Sequence, residues 1–194
     1  MRAKLAAMAG EADDSELMQR YQRGDAQAFR TLYERHKGPL YRYFLRQHGD
    51  AQLAADLFQE TWTKIIAARR RYQPTAKFTT YMYTLAHNCS VDHLRKLGRT
   101  PAVAPDTRVD PDTQSSGLSA ESATEVLQTR DRFAAALAAL PEEQRSAFLM
   151  REEGGLSLAE IAMTTGVKEE TAKSRLRYAV SKLRAVLADP GGGE

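Results

Sequence analysis

Lys173, Ser174, Arg177 and Tyr178 fall close together, with Arg175 and Lys182 beside them. On a helix the first four share one outward side, since residues three and four apart are neighbours. Cations, a hydroxyl and an aromatic ring so placed can reach base edges and phosphates in the major groove of DNA. Three other residues invite metal chemistry: His87, Cys89 and His93. Cys89 and His93 are four apart and share a face, but His87 lies about 200° around the helix from Cys89. The three do not converge on one ion, so no metal site is expected, and Cys89 reads as a small buried residue. There is no phosphate-cradling glycine loop and no nucleophile motif, so neither a cofactor nor a catalytic group is expected.

The elements that position the cationic set read as a helix-turn-helix. Ser157 and Glu160 have capping-box spacing, which starts a short helix ending near Thr164 and Thr165. Gly166 supplies the left-handed turn, Ala162 is small where two helices approach, and Val167 plugs the turn. The second helix should bury Ala172, Leu176, Ala179 and Leu183. Its start at Lys168 has no side-chain acceptor, an omission Glu169 and Glu170 offset through the helix dipole.

The rest of the chain is also helical in pattern. Asp13, Asp14 and Asp25 are caps, and Phe29, Leu32, Tyr33, His36 and Leu40 follow at helical spacing. Gly38-Pro39 predicts a kink or break. After His48-Gly49-Asp50 a helix places Leu53, Leu57, Trp62, Ile65 and Ile66 on its apolar side. A further helix is expected from about 79 to 97, and Leu127, Phe133, Leu137 and Leu140 form a stripe beyond. Residues 100–124 hold Pro101, Pro105 and Pro111 without periodicity and read as a flexible linker. The expectation is all-α: two small helical domains, 13–98 and 125–188, joined by a linker over 99–124, the second a helix-turn-helix.

The chain has 194 residues, 42% of them hydrophobic, one cysteine and a net charge of +3. Its cations cluster over 64–99 and 168–184, which points to a polyanion touched at two places. No stretch is apolar enough to span a membrane, and the single cysteine suits a reducing compartment, so a cytoplasmic protein is expected.

Both halves then resemble one family. Leu140-Pro141, Gln144-Arg145, residues 155–157, Glu160-Ile161-Ala162, Gly166, Thr171 and residues 173–176 are similar to region 4 of extracytoplasmic-function sigma factors. Residues 56–64, DLFQETWTK, resemble region 2.2, and residues 78–96, FTTYMYTLAHNCSVDHLRK, resemble regions 2.3 and 2.4. Their order, separated by a linker in place of a third domain, is the specific part. The resemblance implies a non-catalytic initiation subunit whose partners are core RNA polymerase, promoter DNA and an anti-sigma factor, and a monomer when free.

It also implies residue roles. Asp56, Gln59, Glu60 and Lys64 would dock on the polymerase clamp helices, with Glu60 and Lys64 placed to form an intrahelical pair. Tyr72, Lys77, Phe78, Tyr81, Asn88, Arg95 and Lys96 would hold the melted −10 element, which needs stacking surfaces and a cationic groove. The loop 72–80 would take a flipped base, while Tyr83 and Leu85 belong to the core. Lys173, Ser174, Arg175, Arg177, Tyr178 and Lys182 would hold the −35 duplex, beside the polymerase flap. Two positions depart from the pattern: Tyr81 stands where Trp is common, and His87 replaces an arginine with a group that titrates near neutrality. A stand-alone dimeric helix-turn-helix regulator is the alternative and predicts a palindromic site. A scaffold that never touches DNA is a third reading, against which the two basic clusters argue.

Overall fold

The computed structural model describes residues 12–98 and 120–188, without side-chain detail over 120–128. Among the described residues all regular structure is helical. The N-terminal unit holds α1 (Asp14–Gln22), α2 (Ala26–His48), α3 (Ala51–Ala68), a 3₁₀ turn (Arg69–Arg71) and α4 (Phe78–Leu97). The C-terminal unit holds α5 (Ala120–Ala138), α6 (Glu142–Glu152), α7 (Leu158–Thr165) and α8 (Glu169–Ala188).

Local chemistry starts most of these helices. Asp13 accepts from the Ser15 amide, Asp25 from the Gln27 and Ala28 amides, and Asp50 from the Leu53 amide. Each satisfies amides that the first helical turn leaves without partners. Gly49 closes α2 in the left-handed region at φ 73°. Pro141 precedes α6 at the cap, one place before the first-turn position expected of it, and its carbonyl accepts from the Gln144 and Arg145 amides.

Two expectations change. The helix α2 runs unbroken through Gly38 and Pro39. Proline deletes one backbone hydrogen bond, and the burial of Leu32, Leu40, Tyr43 and Phe44 on either side holds the helix through that point. The first helix of the C-terminal unit begins at Ala120, inside the stretch read as linker. The remainder of that linker, 99–119, lies outside the described residues.

In the N-terminal unit α2 and α3 pack together, with α1 on α2 and α4 on α3. Trp62 meets Phe29 edge-on at 5.6 Å and Tyr33 at 5.1 Å, so aromatic rings fill the centre. Asp14 ties α1 to α2 by accepting from Arg35 at 2.8 Å and pairing with His36 at 2.7 Å. In the C-terminal unit α5, α6 and α7 each pack on α8. The two units also touch: α4 lies on α7, and α2 lies on α5 and α6. Buried side chains form one cluster running through both units. Among the described residues no helix is long and apolar enough to cross a membrane.

Candidate nucleic-acid and polymerase interfaces

The helix-turn-helix forms as its local signals require. Ser157 Oγ accepts from the Glu160 amide at 3.3 Å, and Glu160 accepts from the Ser157 amide at 2.8 Å. The reciprocal bond holds the Glu160 carboxyl down at about 2: the Ser157 amide is the main cause, with Ser157, Lys77 and Thr80 side chains adding to it. Gly166 sits at φ 68°, where a side chain would be strained. The Val167 amide reaches back to the Ala162 carbonyl at 3.0 Å, closing the helix end as a Schellman turn. The start of α8 relies on backbone: the Thr171 and Ala172 amides donate to the Lys168 carbonyl. Ala172, Ala179 and Leu183 are buried as expected, while Leu176 is only half-buried.

That packing leaves Lys173, Arg177, Tyr178 and Lys182 exposed on α8. Tyr178 is 52% exposed, and the Arg177 guanidinium lies 5.2 Å over its ring, so cation and ring form one surface. Ser174 and Arg175 are half-buried. Arg175 lines a groove of about 460 Å³ between the units, together with His87 of α4. Burial and then the Arg175 charge hold the His87 imidazole below its usual range.

On α4 and the loop before it the expected set divides. Asn88, Arg95, Lys96 and Lys77 are exposed. Arg95 pairs with Asp92 at 3.5 Å, and Lys77 pairs with Glu160 of α7 at 3.2 Å. Tyr81 is half-buried. Tyr72 and Phe78 are 5% and 1% exposed, so in this structure neither offers a ring face to a base. Tyr72 packs edge-on against Tyr81 at 5.2 Å, and Phe78 lies against His36 at 5.4 Å. Both rings are core, together with Tyr83. Tyr81 is the remaining member of the aromatic trio with part of its ring accessible.

On α3, Asp56 and Gln59 are exposed, Asp56 accepting from Gln52 at 3.1 Å. Glu60 and Lys64 form the expected intrahelical pair at 2.8 Å. Its hydrogen bond holds the Glu60 carboxyl below, and the Lys64 ammonium above, their ordinary ranges. Lys64 also donates to Cys89 Sγ at 3.3 Å, so it leans back towards α4. Cys89 is 1% exposed, and burial pushes its thiol up. Ile66, read as apolar core, is 43% exposed. It continues the outward stripe of Asp56, Gln59 and Thr63, since steps of three and four residues keep one helical face. A search for exposed apolar residues in register with the polar ones would have found it. Among the described residues no group of His, Cys, Asp and Glu is arranged to hold a metal ion.

A helix-turn-helix with an exposed cationic second helix, joined to a helical unit with its own basic helix, defines a DNA-binding transcription protein. Residues 32–100 match the family model for sigma-70 region 2, and residues 130–183 match that for sigma-70 region 4. An extracytoplasmic-function RNA polymerase sigma factor of Mycobacterium tuberculosis, SigL, is 36% identical over 168 residues, covering 86% of this chain and 93% of its own. The RNA polymerase sigma factor CarQ of Myxococcus xanthus is 30% identical over 172 residues, covering 89% and 96%. The fold is shared with the Bartonella quintana sigma factor RpoE, solved with the anti-sigma factor NepR (TM-score 0.69, 21% identity, 86% of this chain and 100% of that one). The chain belongs to the sigma-70 family, in its extracytoplasmic-function group. It is therefore an alternative sigma factor that directs transcription initiation, not a stand-alone regulator.

Proposed function

We propose that the two units hold a promoter at two places while α3 holds core polymerase. The exposed α8 set, Lys173, Arg177, Tyr178 and Lys182, reads the −35 duplex from the major groove, with Ser174 and Arg175 reaching phosphate once the units part. Asn88, Arg95, Lys96, Lys77 and the accessible side of Tyr81 hold the melted −10 strand. Tyr72 and Phe78 act beneath them, fixing the loop and Tyr81 through ring contacts.

Asp56 and Gln59 dock on the polymerase clamp helices, with Glu60 and Lys64 at the edge of that surface. Ile66 adds an apolar contact. The C-terminal unit lies beside the polymerase flap. The protein works as a non-catalytic monomer in the cytoplasm, and an anti-sigma factor, as in the Bartonella quintana RpoE complex, is a fitting partner.

The observation that carries this reading is the outward stripe on α3, where polar Asp56 and Gln59 share one helical face with exposed Ile66. The test is promoter-specific transcription with core polymerase. Asp56→Arg with Ile66→Ser should leave the chain folded by circular dichroism and abolish core association. Undiminished association by this variant would refute the docking surface.

A further inference from the structure

Helix α1 carries none of the DNA or polymerase contacts assigned above, yet it holds both ends of the loop that leads into α4. Gln22, in the last turn of α1, is half-buried and donates through Nε2 to the Arg70 carbonyl at 3.1 Å and the Tyr72 carbonyl at 3.3 Å. One side-chain amide thus serves two carbonyls at the end of the 3₁₀ turn, where a helix leaves such groups without partners. Beside it the Arg69 guanidinium lies 5.3 Å over the Tyr21 ring. The first turn of α1 serves the other end. Asp14 holds Arg35 and His36, and the His36 ring lies against Phe78, the first residue of α4. From Phe78 the ring contacts continue to Tyr81 at 6.3 Å and on to Tyr72 at 5.2 Å, which returns to the start of the loop. Between these two feet Gln73, Pro74, Thr75 and Lys77 are exposed.

We propose that α1 is a positioning element for promoter opening: Gln22 at one foot and Asp14, through His36, at the other hold the loop 72–77 in the shape that grips an unstacked −10 base. This rests on the promoter reading above. An unsupported stretch from 72 to 78 could span anything up to about 20 Å. From Asp14 to Gln22 a rigid helix sets the separation of the two grips at about 12 Å. A base leaves the stack only when a pocket already in shape offsets the loss of stacking. Discrimination between bases depends most on that shape, because donors and acceptors must stand in place before the base arrives. Both amide hydrogens of Gln22 are taken by loop carbonyls, so its part is support and not contact. Tyr72 and Phe78, nearly buried, transmit the support, and Tyr81 is the ring with a side left for the strand.

The test uses the full chain with core polymerase, on a promoter selected from genomic fragments by run-off transcription. Initiation is measured on that promoter and on copies with one base changed in the −10 element or one in the −35 element, and each is expressed as a ratio. A ratio cancels any loss of folded protein and any added charge near phosphate, since neither carries sequence information. Gln22→Met keeps the length of the side chain and removes its donor. It should lower the −10 ratio by about three- to tenfold, the span of one lost hydrogen bond, and leave the −35 ratio at its wild-type value. Gln22→Lys brings back a donor and should bring back the −10 ratio. Asp14→Ala loosens the other foot and should lower the same ratio. A −10 ratio that holds in Gln22→Met, a −35 ratio that falls with it, or a Gln22→Lys chain no better than Gln22→Met would overturn the proposal. A wild-type ratio in Asp14→Ala would refute the second grip. Trypsin judges the brace without DNA: Gln22→Met should be cut after Arg71 and Lys77 several times faster than wild type at matched circular dichroism, and equal rates would refute the brace. If the wild-type chain itself shows no −10 preference, the promoter reading is at fault and the positioning role falls with it, whatever trypsin reports.

Discussion

Replacing Glu160 separates what a carboxylate does for its own helix from what it does across the contact with the N-terminal unit. Its carboxyl falls from 4.5 to about 2, which by linkage is a ceiling of about 3 kcal/mol at neutral pH. The main contributor is the Ser157 amide at 2.8 Å, a local bond. Lys77 contributes less, because its side chain is 73% exposed and solvent screens the pair. Glu160→Ala removes every bond and should destabilise the chain by about 2 kcal/mol. Glu160→Gln keeps one oxygen for the Ser157 amide, puts an amide NH2 where Thr80 and Lys77 now donate, and should lose about 0.5–1 kcal/mol. Urea unfolding of the full chain at neutral pH reads both. The folded pKa is depressed, so the stabilisation is complete above about pH 4.5 and fades as pH falls towards about 2. The gap between wild type and Glu160→Ala should therefore narrow on going from about pH 5 to about pH 3. Equal midpoints for the Ala and Gln variants, or a gap indifferent to pH, would refute the reasoning.

Burial, then the His93 and Arg145 charges, holds the His48 imidazole at about 4 against the opposing pull of Asp50, so its neutral form stabilises the fold. That contribution, at most about 3 kcal/mol, is intact above about pH 6.5 and disappears as pH falls to about 4; thermal melts of His48→Gln should show a flatter acid limb. Gly154→Ala would drive a methyl into Leu156, the Met150 carbonyl and Tyr83, and should cost about 1–3 kcal/mol in a denaturation midpoint. An unaltered midpoint would contradict the close approach. Arg177→Ala should weaken transcription from a fixed −35 element by the equivalent of about 1–3 kcal/mol, and relax its sequence preference. Lys182→Ala should lower the salt slope of −35 binding by about one while leaving sequence preference intact, and the reverse result would exchange the two roles.

The parts legible in the sequence were those decided within a few residues. Asp25 and Ser157 accept from amides two or three positions on, so caps can be read without the fold. Gly166 is equally local. Pro39 misleads because its local penalty is outweighed by Leu40, Tyr43 and Phe44, whose burial is tertiary. Tyr72 and Phe78 read as stacking surfaces because rings among cations look alike whether they face a base or a neighbour. The ring that covers Phe78 belongs to His36, far away in sequence. The contact between the two units was invisible for the same reason: Glu153 and Arg42 stand 111 residues apart, Glu160 and Thr80 stand 80 apart. Spacing rules say nothing about carboxylates whose partners come from another unit. Ile66 was a narrower error, an apolar residue assigned by type to a face that its register points away from.

The thiol of Cys89 has a consequence for how the chain behaves outside its fold. It is the only cysteine in the sequence, shut in beneath Thr61 and Lys64. While the N-terminal unit is folded, two copies have no accessible sulfur to join them. An unfolded copy exposes one reactive thiol and can couple once, to one other such copy. Disulfide-linked pairs on a non-reducing gel therefore count unfolding events, and the rate at which an alkylating reagent in excess consumes the thiol is a clock for how often the unit opens.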